Sequence, residues 1–143
     1  MHTSKSRSLP CLDGAKVLIV DDNAYAREAL EIFFGLMGAQ VKQAASGEQG
    51  LVEWKAWDPS VVLSDIGMPG LDGYEFIRAL RIAEREQGRP YTPAVAITAY
   101  AQERDKMLAR EAGFDVHVAK PADPMELTNI VTELLRISRP LPH

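Results

Sequence analysis

Polar side chains follow several short hydrophobic segments of this sequence, at the point where each segment ends. Two adjacent aspartates, Asp21 and Asp22, follow the first of these segments, and Asp65 follows another. Thr98 ends a further segment and Lys120 ends the last one. In a parallel sheet the carboxyl ends of the strands lie on one edge, where open α/β folds place their binding sites. We therefore expect three carboxylates, a hydroxyl and an ammonium group to meet at that edge.

Three converging carboxylates need a bound cation or shared protons, because two carboxylates about 4 Å apart repel by roughly 4 kcal/mol at an effective dielectric constant of about 20. Oxygen ligands suit Mg²⁺, which binds one or two carboxylates together with phosphate oxygens, and Mn²⁺ should substitute for it. Asp21 and Asp22 are adjacent and are the expected metal ligands. Asp65 precedes an open, glycine-containing loop, so it is the expected nucleophile toward phosphorus.

The lysine and the threonine supply a positive charge and a hydrogen-bond donor to a phosphoryl group in transfer. Lys120 is a compact charge on a long stem, and the Thr98 hydroxyl can donate to another phosphoryl oxygen. Each residue also has an ordinary structural explanation: Asp22 could cap a helix, Thr98 could favour a strand, and Lys120 could be a solvated charge. All three structural explanations would have to be true at once for residues that end different strands of one sheet. A functional site explains the same residues more simply.

The composition is that of an ordinary globular domain, with 143 residues, 46% hydrophobic and 25% charged. A net charge of -4 and the lack of a basic block argue against a nucleic-acid partner. The sequence contains no apolar run long enough for a membrane span or a signal peptide. The single cysteine, Cys11, fits a reducing compartment, so a cytoplasmic protein is expected.

Apolar runs alternate with segments of helical spacing and predict five strands and five helices. The predicted strands are Lys16–Val20, Gln40–Ala44, Val61–Ser64, Pro93–Ile97 and Asp115–Ala119, and the predicted helices are Ala24–Leu36, Glu48–Trp57, Tyr74–Glu86, Gln102–Glu111 and Pro124–Ile137. Right-handed crossovers then give a doubly wound parallel sheet. The strands that carry the carboxylates must be neighbours, which matches the flavodoxin-like (βα)5 fold with strand order 2-1-3-4-5.

The folded domain is predicted to span residues 15–137. Residues 1–14 lack periodicity and are expected to be a flexible lead-in, and residues 138–143 are expected to be a short tail. Asn23 and Asp123 are the predicted N-caps of the first and last helices.

The spaced motifs together resemble a two-component response-regulator receiver domain over nearly the whole chain. They are Val-Leu-Ile-Val-Asp21-Asp22-Asn23, Asp65-Ile-Gly-Met-Pro69-Gly-Leu-Asp72-Gly73, Ile-Thr98-Ala99, Ala112-Gly113-Phe114-Asp115 and Lys120-Pro121. The resemblance implies that Asp65 accepts a phosphoryl group from a phosphohistidine on a sensor histidine kinase or a histidine phosphotransfer protein. The segment around Thr98 also resembles receivers attached to hybrid histidine kinases, so either such a domain or a single-domain regulator is expected.

The resemblance also implies which residues bind the metal ion. Asp22 and Asp65 would bind Mg²⁺ directly with the backbone carbonyl of Gly67, and Asp21 would bind it largely through water. Gly67 has no side chain to shield an acyl phosphate on Asp65 from water. Tyr100, two residues after Thr98, would supply part of that shielding.

The switch that the resemblance implies runs from the phosphoryl group to a protein-binding surface. Thr98 and Lys120 would contact the phosphoryl group and pass its presence to the loop after the fourth strand, and the Lys120–Pro121 bond would be cis. The family usually has Tyr or Phe three residues before the lysine, where this chain has His117. That histidine either turns inward or faces solvent from an edge strand. The fourth helix, fifth strand and fifth helix are the expected surface for a downstream protein.

Three other functional classes fit less well. A haloacid-dehalogenase-like phosphatase would carry its nucleophile on the first strand in an Asp-x-Asp pattern, but residue 23 is Asn23. An interaction module that is not phosphorylated remains an alternative, although every residue needed for phosphorylation is present. A flavin-binding protein is disfavoured because the acidic turn after the first strand would repel a phosphate.

Overall fold

The computed structural model describes residues 11–99 and 102–138, and these residues form a parallel sheet with helices on both faces. The strands are β1 Lys16–Val20, β2 Gln40–Ala44, β3 Val61–Asp65, β4 Ala94–Thr98 and β5 Val116–Ala119, and the helices are α1 Ala24–Leu36, α2 Gly47–Trp57, α3 Gly73–Gln87, α4 Glu103–Ala112 and α5 Pro124–Ser138. The strand order β2-β1-β3-β4-β5 confirms the predicted flavodoxin-like fold.

Several elements begin or end one residue away from the predicted position, and two of these differences affect the site. β3 continues through Asp65, which pairs with Ile97, and β4 continues through Thr98, which pairs with Ala119. Both polar residues are therefore part of the sheet instead of following it. β4 begins after Pro93 because proline has no N–H to give to the ladder.

Side chains alternate along each strand and form two hydrophobic clusters, one on each face of the sheet. Trp54 and Phe76 belong to the cluster beneath α2, α3 and α4, whereas Phe34 and Leu127 belong to the cluster beneath α1 and α5. Leu12 packs into the second cluster although it lies inside the predicted lead-in. The backbone N–H of Leu12 donates to the carbonyl of Met37, the residue that follows α1, at 2.9 Å.

The predicted helix caps are present. The Asn23 side chain accepts from the N–H of Ala26 at 3.1 Å, and the Asp123 side chain accepts from the N–H of Met125 at 3.0 Å. Most of the predicted lead-in and tail, together with Tyr100, lies outside the described residues. Within the described part of the chain, no helix has the length and apolar character needed to cross a membrane.

Candidate functional site

The carboxyl ends of β1 and β3 bring three carboxylates together. These strands are neighbours in the sheet, with Val20 opposite Ser64. One carboxylate oxygen from each of Asp21, Asp22 and Asp65 lies within 4.8 Å of the others. Asp21 and Asp65 are buried and Asp22 is exposed, so the cluster opens to solvent on one side. An all-oxygen cluster of this kind can hold a divalent cation.

The ammonium group of Lys120 contacts two of these carboxylates. Its Nζ lies 3.6 Å from Oδ2 of Asp21 and 3.5 Å from Oδ1 of Asp65. The backbone N–H of Lys120 donates to the carbonyl of Thr98 at 2.8 Å, and the bond to Pro121 is cis, as the resemblance implies. The lysine thus offsets part of the negative charge of the cluster and comes from a backbone position tied to the end of β4.

The surroundings of the Asp21 carboxyl shift its pKa. Burial raises its pKa above the ordinary value of 3.8, and the charges of Asp65 and Asp22 act in the same direction. A 2.9 Å hydrogen bond from the N–H of Asn23 to Oδ1 and the charge of Lys120 oppose this rise. The net result is a raised pKa, so ionisation of the Asp21 carboxyl is less favourable in the folded chain than in the unfolded chain.

We expect Asp21→Asn to stabilise the protein when no divalent ion is present. A raised folded-state pKa gives stability below the unfolded-state pKa that is lost as the pH rises through the folded-state pKa. In EDTA at about pH 7 the free energy of unfolding of Asp21→Asn should therefore be about 1 kcal/mol higher than that of the parent. The two free energies of unfolding should become equal at about pH 3, where the Asp21 carboxyl of the parent is also neutral. Urea unfolding at both pH values measures this difference, and a parent more stable than Asp21→Asn at about pH 7 would contradict it.

The Asp65 carboxylate is fixed by its own strand end and by the start of α3. Its Oδ1 accepts from the N–H of Ile66 at 2.9 Å, and the Ile66 carbonyl accepts from the N–H of Gly73 at 2.9 Å. A Cβ on Gly73 would lie only 2.4 Å from the Asp65 carbonyl oxygen. Gly73 therefore lets α3 begin against the strand end that carries Asp65, a role that the sequence-based prediction does not include.

Thr98 and His117 lie on the same face of the sheet, toward α4. Thr98 is fully buried at the end of β4. His117 of β5 pairs with Ala96, which lies on β4 two residues before Thr98. Both ring nitrogens of His117 are buried and have no hydrogen-bond partner among the described residues. Of the two readings of this histidine, the structure therefore favours the inward one over the solvent-facing one.

The remaining predicted site residues lie in the loops that follow β3 and β5. Gly67 is exposed in the loop after β3, two residues beyond Asp65, and Pro121 is exposed after β5. The predicted cover from Tyr100 lies outside the described residues.

Comparisons with known proteins agree with this geometry. A family model described as the response regulator receiver domain matches residues 17–132. The chain is 36% identical over 117 residues to the "Uncharacterized 14.6 kDa protein in sodA1 3'region" of Leptolyngbya boryana, covering 82% of this chain and 87% of that protein. It is also 36% identical to the probable transcriptional regulator ycf27 of Porphyra purpurea over 85% of this chain, and it spans only 47% of that regulator.

A solved structure supports the same fold. The putative response regulator from Chloroflexus aurantiacus J-10-fl superposes with a TM-score of 0.77 at 32% sequence identity. The match covers 85% of this chain and 98% of that one. The parallel sheet and its helices are therefore shared over nearly the whole length of that protein.

Proposed function

The chain belongs to the response regulator receiver domain family, and from this premise we propose that Asp65 is its phosphoacceptor. The protein is a phosphoacceptor receiver of two-component signalling, with a signalling and not an enzymatic role. The observation that carries the assignment to Asp65 is its buried carboxylate, which contacts Lys120 at 3.5 Å and belongs to the three-carboxylate cluster. The loop that follows it leaves a side open for a phosphodonor.

The proposed reaction is direct transfer from a phosphohistidine to the Asp65 carboxylate. Oδ1 is held by the N–H of Ile66, which leaves Oδ2 to attack phosphorus as the phosphorus–nitrogen bond of the donor breaks. Lys120 would neutralise charge on the phosphoryl oxygens, and the Thr98 hydroxyl would donate to another of them. Later hydrolysis of the acyl phosphate would return the protein to its resting state, and the exposed Gly67 leaves water a path of approach.

The carboxylate cluster fits Mg²⁺, with Mn²⁺ as a substitute, because its ligands are oxygens and one side is open. Asp22 and Asp65 would hold the ion directly with the Gly67 carbonyl, and Asp21 would hold it through water. When bound, the ion would supply positive charge to the transferring phosphoryl oxygens.

Intact mass after incubation with Mg²⁺ and acetyl phosphate tests the proposal. We expect one phosphoryl group on the parent and none on Asp65→Asn, because the amide oxygen is a poor nucleophile. Asp58→Asn is the matched control, since Asp58 is an exposed aspartate at the other edge of the sheet and should not alter the adduct. An adduct that persists on Asp65→Asn would contradict the assignment, as would failure of the parent to bind either phosphoryl or beryllofluoride.

We place the docking site of the phosphodonor on α1, beside the carboxylates. Tyr25, Ile32 and Leu36 are exposed to 86%, 66% and 77% and stand seven and four residues apart, so they form an apolar stripe on one face of α1. A groove of about 540 Å³ between α1 and α5 connects this helix to Asp21 and Lys120. The stripe and groove fit an amphipathic helix of a histidine kinase or histidine phosphotransfer protein that carries its histidine to the groove end.

We expect Ile32→Glu to slow phosphoryl transfer from a phosphohistidine protein at least tenfold, because it places a charge in the docking face. The rate with acetyl phosphate should be unchanged. Val52→Glu, at a 63% exposed position on α2, is the control and should affect neither rate. Equal loss with both donors would mean that Ile32→Glu damages the carboxylate cluster and not the docking face.

The downstream surface is proposed on α4, β5 and α5. The Thr98 carbonyl holds the backbone of Lys120, so a shift of either residue toward a phosphoryl group would move the end of β5. His117, Tyr100 and Pro121 are the other proposed switch residues. The single cysteine supports the cytoplasmic location that we propose for the protein.

A further inference from the structure

A cavity of about 310 Å³ lies between α4 and β5, away from the carboxylate cluster. Lys106 and Arg110 of α4 line it together with Phe114, Asp115 and His117. Its volume is at the lower end of the roughly 300–1,000 Å³ that ligand pockets span. The cavity therefore has room for one or two side chains and is small for a cofactor.

His117 lines this cavity, and the hydrogen-bonding groups of its imidazole ring have no partner among the described residues. Both ring nitrogens are buried without a partner among the residues that the structure describes. Such an arrangement is costly, because each buried polar atom has lost its water hydrogen bonds without replacement. A change of side-chain torsion would turn a ring nitrogen into the cavity, where a group that enters from outside could supply the missing hydrogen bond.

The charges around the cavity favour an anionic group. Arg110 forms no ion pair with any residue in the described ranges, and Lys106 pairs only with the exposed Glu103 at 3.5 Å. The Asp115 carboxylate is already engaged, since its oxygens accept hydrogen bonds at 2.7 and 2.8 Å from a tyrosine hydroxyl and a backbone N–H. The lining thus offers two cations and an imidazole, while its carboxylate is occupied. A carboxylate matches this set of donors.

An exposed apolar side chain beside the lining residues of α4 indicates that the carboxylate belongs to a polypeptide. Met107 is 60% exposed and is a helix-surface neighbour of Arg110 three residues later. We infer that the α4–β5 cavity receives an acidic side chain of a partner polypeptide, between Arg110 and His117, with an adjacent apolar residue of the partner covering Met107. This inference rests on the proposed downstream use of the α4–β5–α5 surface, but it does not require phosphorylation.

Nuclear magnetic resonance titration of the full chain tests this inference with two blocked peptides, acetyl-Leu-Glu-Leu-amide and acetyl-Leu-Gln-Leu-amide, and with sodium acetate. The glutamate peptide should shift the signals of Lys106, Arg110 and His117 saturably. Its dissociation constant should be about three- to tenfold lower than that of the glutamine peptide. Acetate should bind more weakly than the glutamate peptide because it lacks the apolar contact.

Variants separate the cavity from the phosphorylation site. Arg110→Gln should remove the preference for the glutamate peptide, and Arg104→Gln, an exposed arginine of α4 outside the cavity lining, should retain it. Asp65→Asn should also retain it, so failure of the phosphoacceptor assignment would leave this result intact. Equal affinity for both peptides, or no saturable shift at the cavity, would overturn the inference. Acetate binding as tight as the glutamate peptide would instead mean a site for small carboxylates and would overturn the polypeptide occupant.

Discussion

Replacing Gly73 by alanine is expected to lower the free energy of unfolding by about 3 kcal/mol and to slow phosphorylation of the folded protein. The new Cβ would lie 2.4 Å from the Asp65 carbonyl oxygen and 2.6 Å from the Cα of Ile66. Both atoms belong to the backbone, so no side-chain rotation can relieve the contact. The start of α3 must move away from the end of β3, and the strain falls on the residue that carries the phosphoacceptor carboxylate.

Urea unfolding and the rate of adduct formation with acetyl phosphate measure the two effects. Gly35→Ala is the matched control, because a Cβ on Gly35 meets no atom within 4 Å and the residue lies inside α1. That change should stabilise the protein by about 0.5 kcal/mol, since alanine is the better helix former. If Gly73→Ala were as stable and as reactive as the parent, the close approach of α3 to β3 would have no role in placing Asp65.

The strand ends could be predicted because their signals are local. Each strand is a short apolar run, and parallel strands must place their carboxyl ends on one edge. The meeting of Asp21 and Asp65 then follows once the two strands are neighbours, and β1 and β3 do pair. The exact ends were less predictable, because whether Asp65 and Thr98 belong to the ladder depends on the register of the strands beside them.

Contacts that depend on how distant segments cross could not be predicted from the sequence. Helical spacing places Arg81 on a face of α3, but its acceptors Thr92 and Gly113 are 11 and 32 residues away. The backbone contact at Gly73 depends on the angle at which α3 leaves the sheet. The orientation of His117 depends on how closely α4 packs against β5, which no local pattern reports.

Replacing Arg81 by methionine is expected to lower the free energy of unfolding by about 3–5 kcal/mol. Arg81 and Glu84 are 8% and 5% exposed, and the guanidinium contacts both carboxylate oxygens at 3.1 Å. It also donates to the carbonyls of Thr92 at 2.7 Å and Gly113 at 2.8 Å. Removal of the arginine would leave a buried carboxylate, the buried carbonyl of Thr92 and the part-buried carbonyl of Gly113 without this donor. The loss is large against a total stability of about 5–15 kcal/mol for a domain.

A double substitution and an exposed neighbour test the origin of this loss by urea unfolding. Arg85→Met, at an exposed position of the same helix, should change the stability by no more than about 0.5 kcal/mol. Arg81→Met combined with Glu84→Leu should be less destabilised than Arg81→Met alone, because no unpaired charge remains buried. If Arg81→Met lowered the free energy of unfolding by less than about 1 kcal/mol, water would have replaced the arginine as hydrogen-bond donor to the Glu84 carboxylate.

The position of Arg81 also separates stability from phosphorylation chemistry. Thr92 and Gly113 precede β4 and β5, whereas Thr98 and Lys120 stand at the opposite ends of these strands. Arg81→Met should therefore lower stability while the folded fraction still accepts a phosphoryl group within about threefold of the parent rate. Gly73→Ala should lower both, because the added Cβ would clash with the backbone of Asp65 itself. The two variants thus distinguish residues that hold the sheet together from a residue that positions the phosphoacceptor.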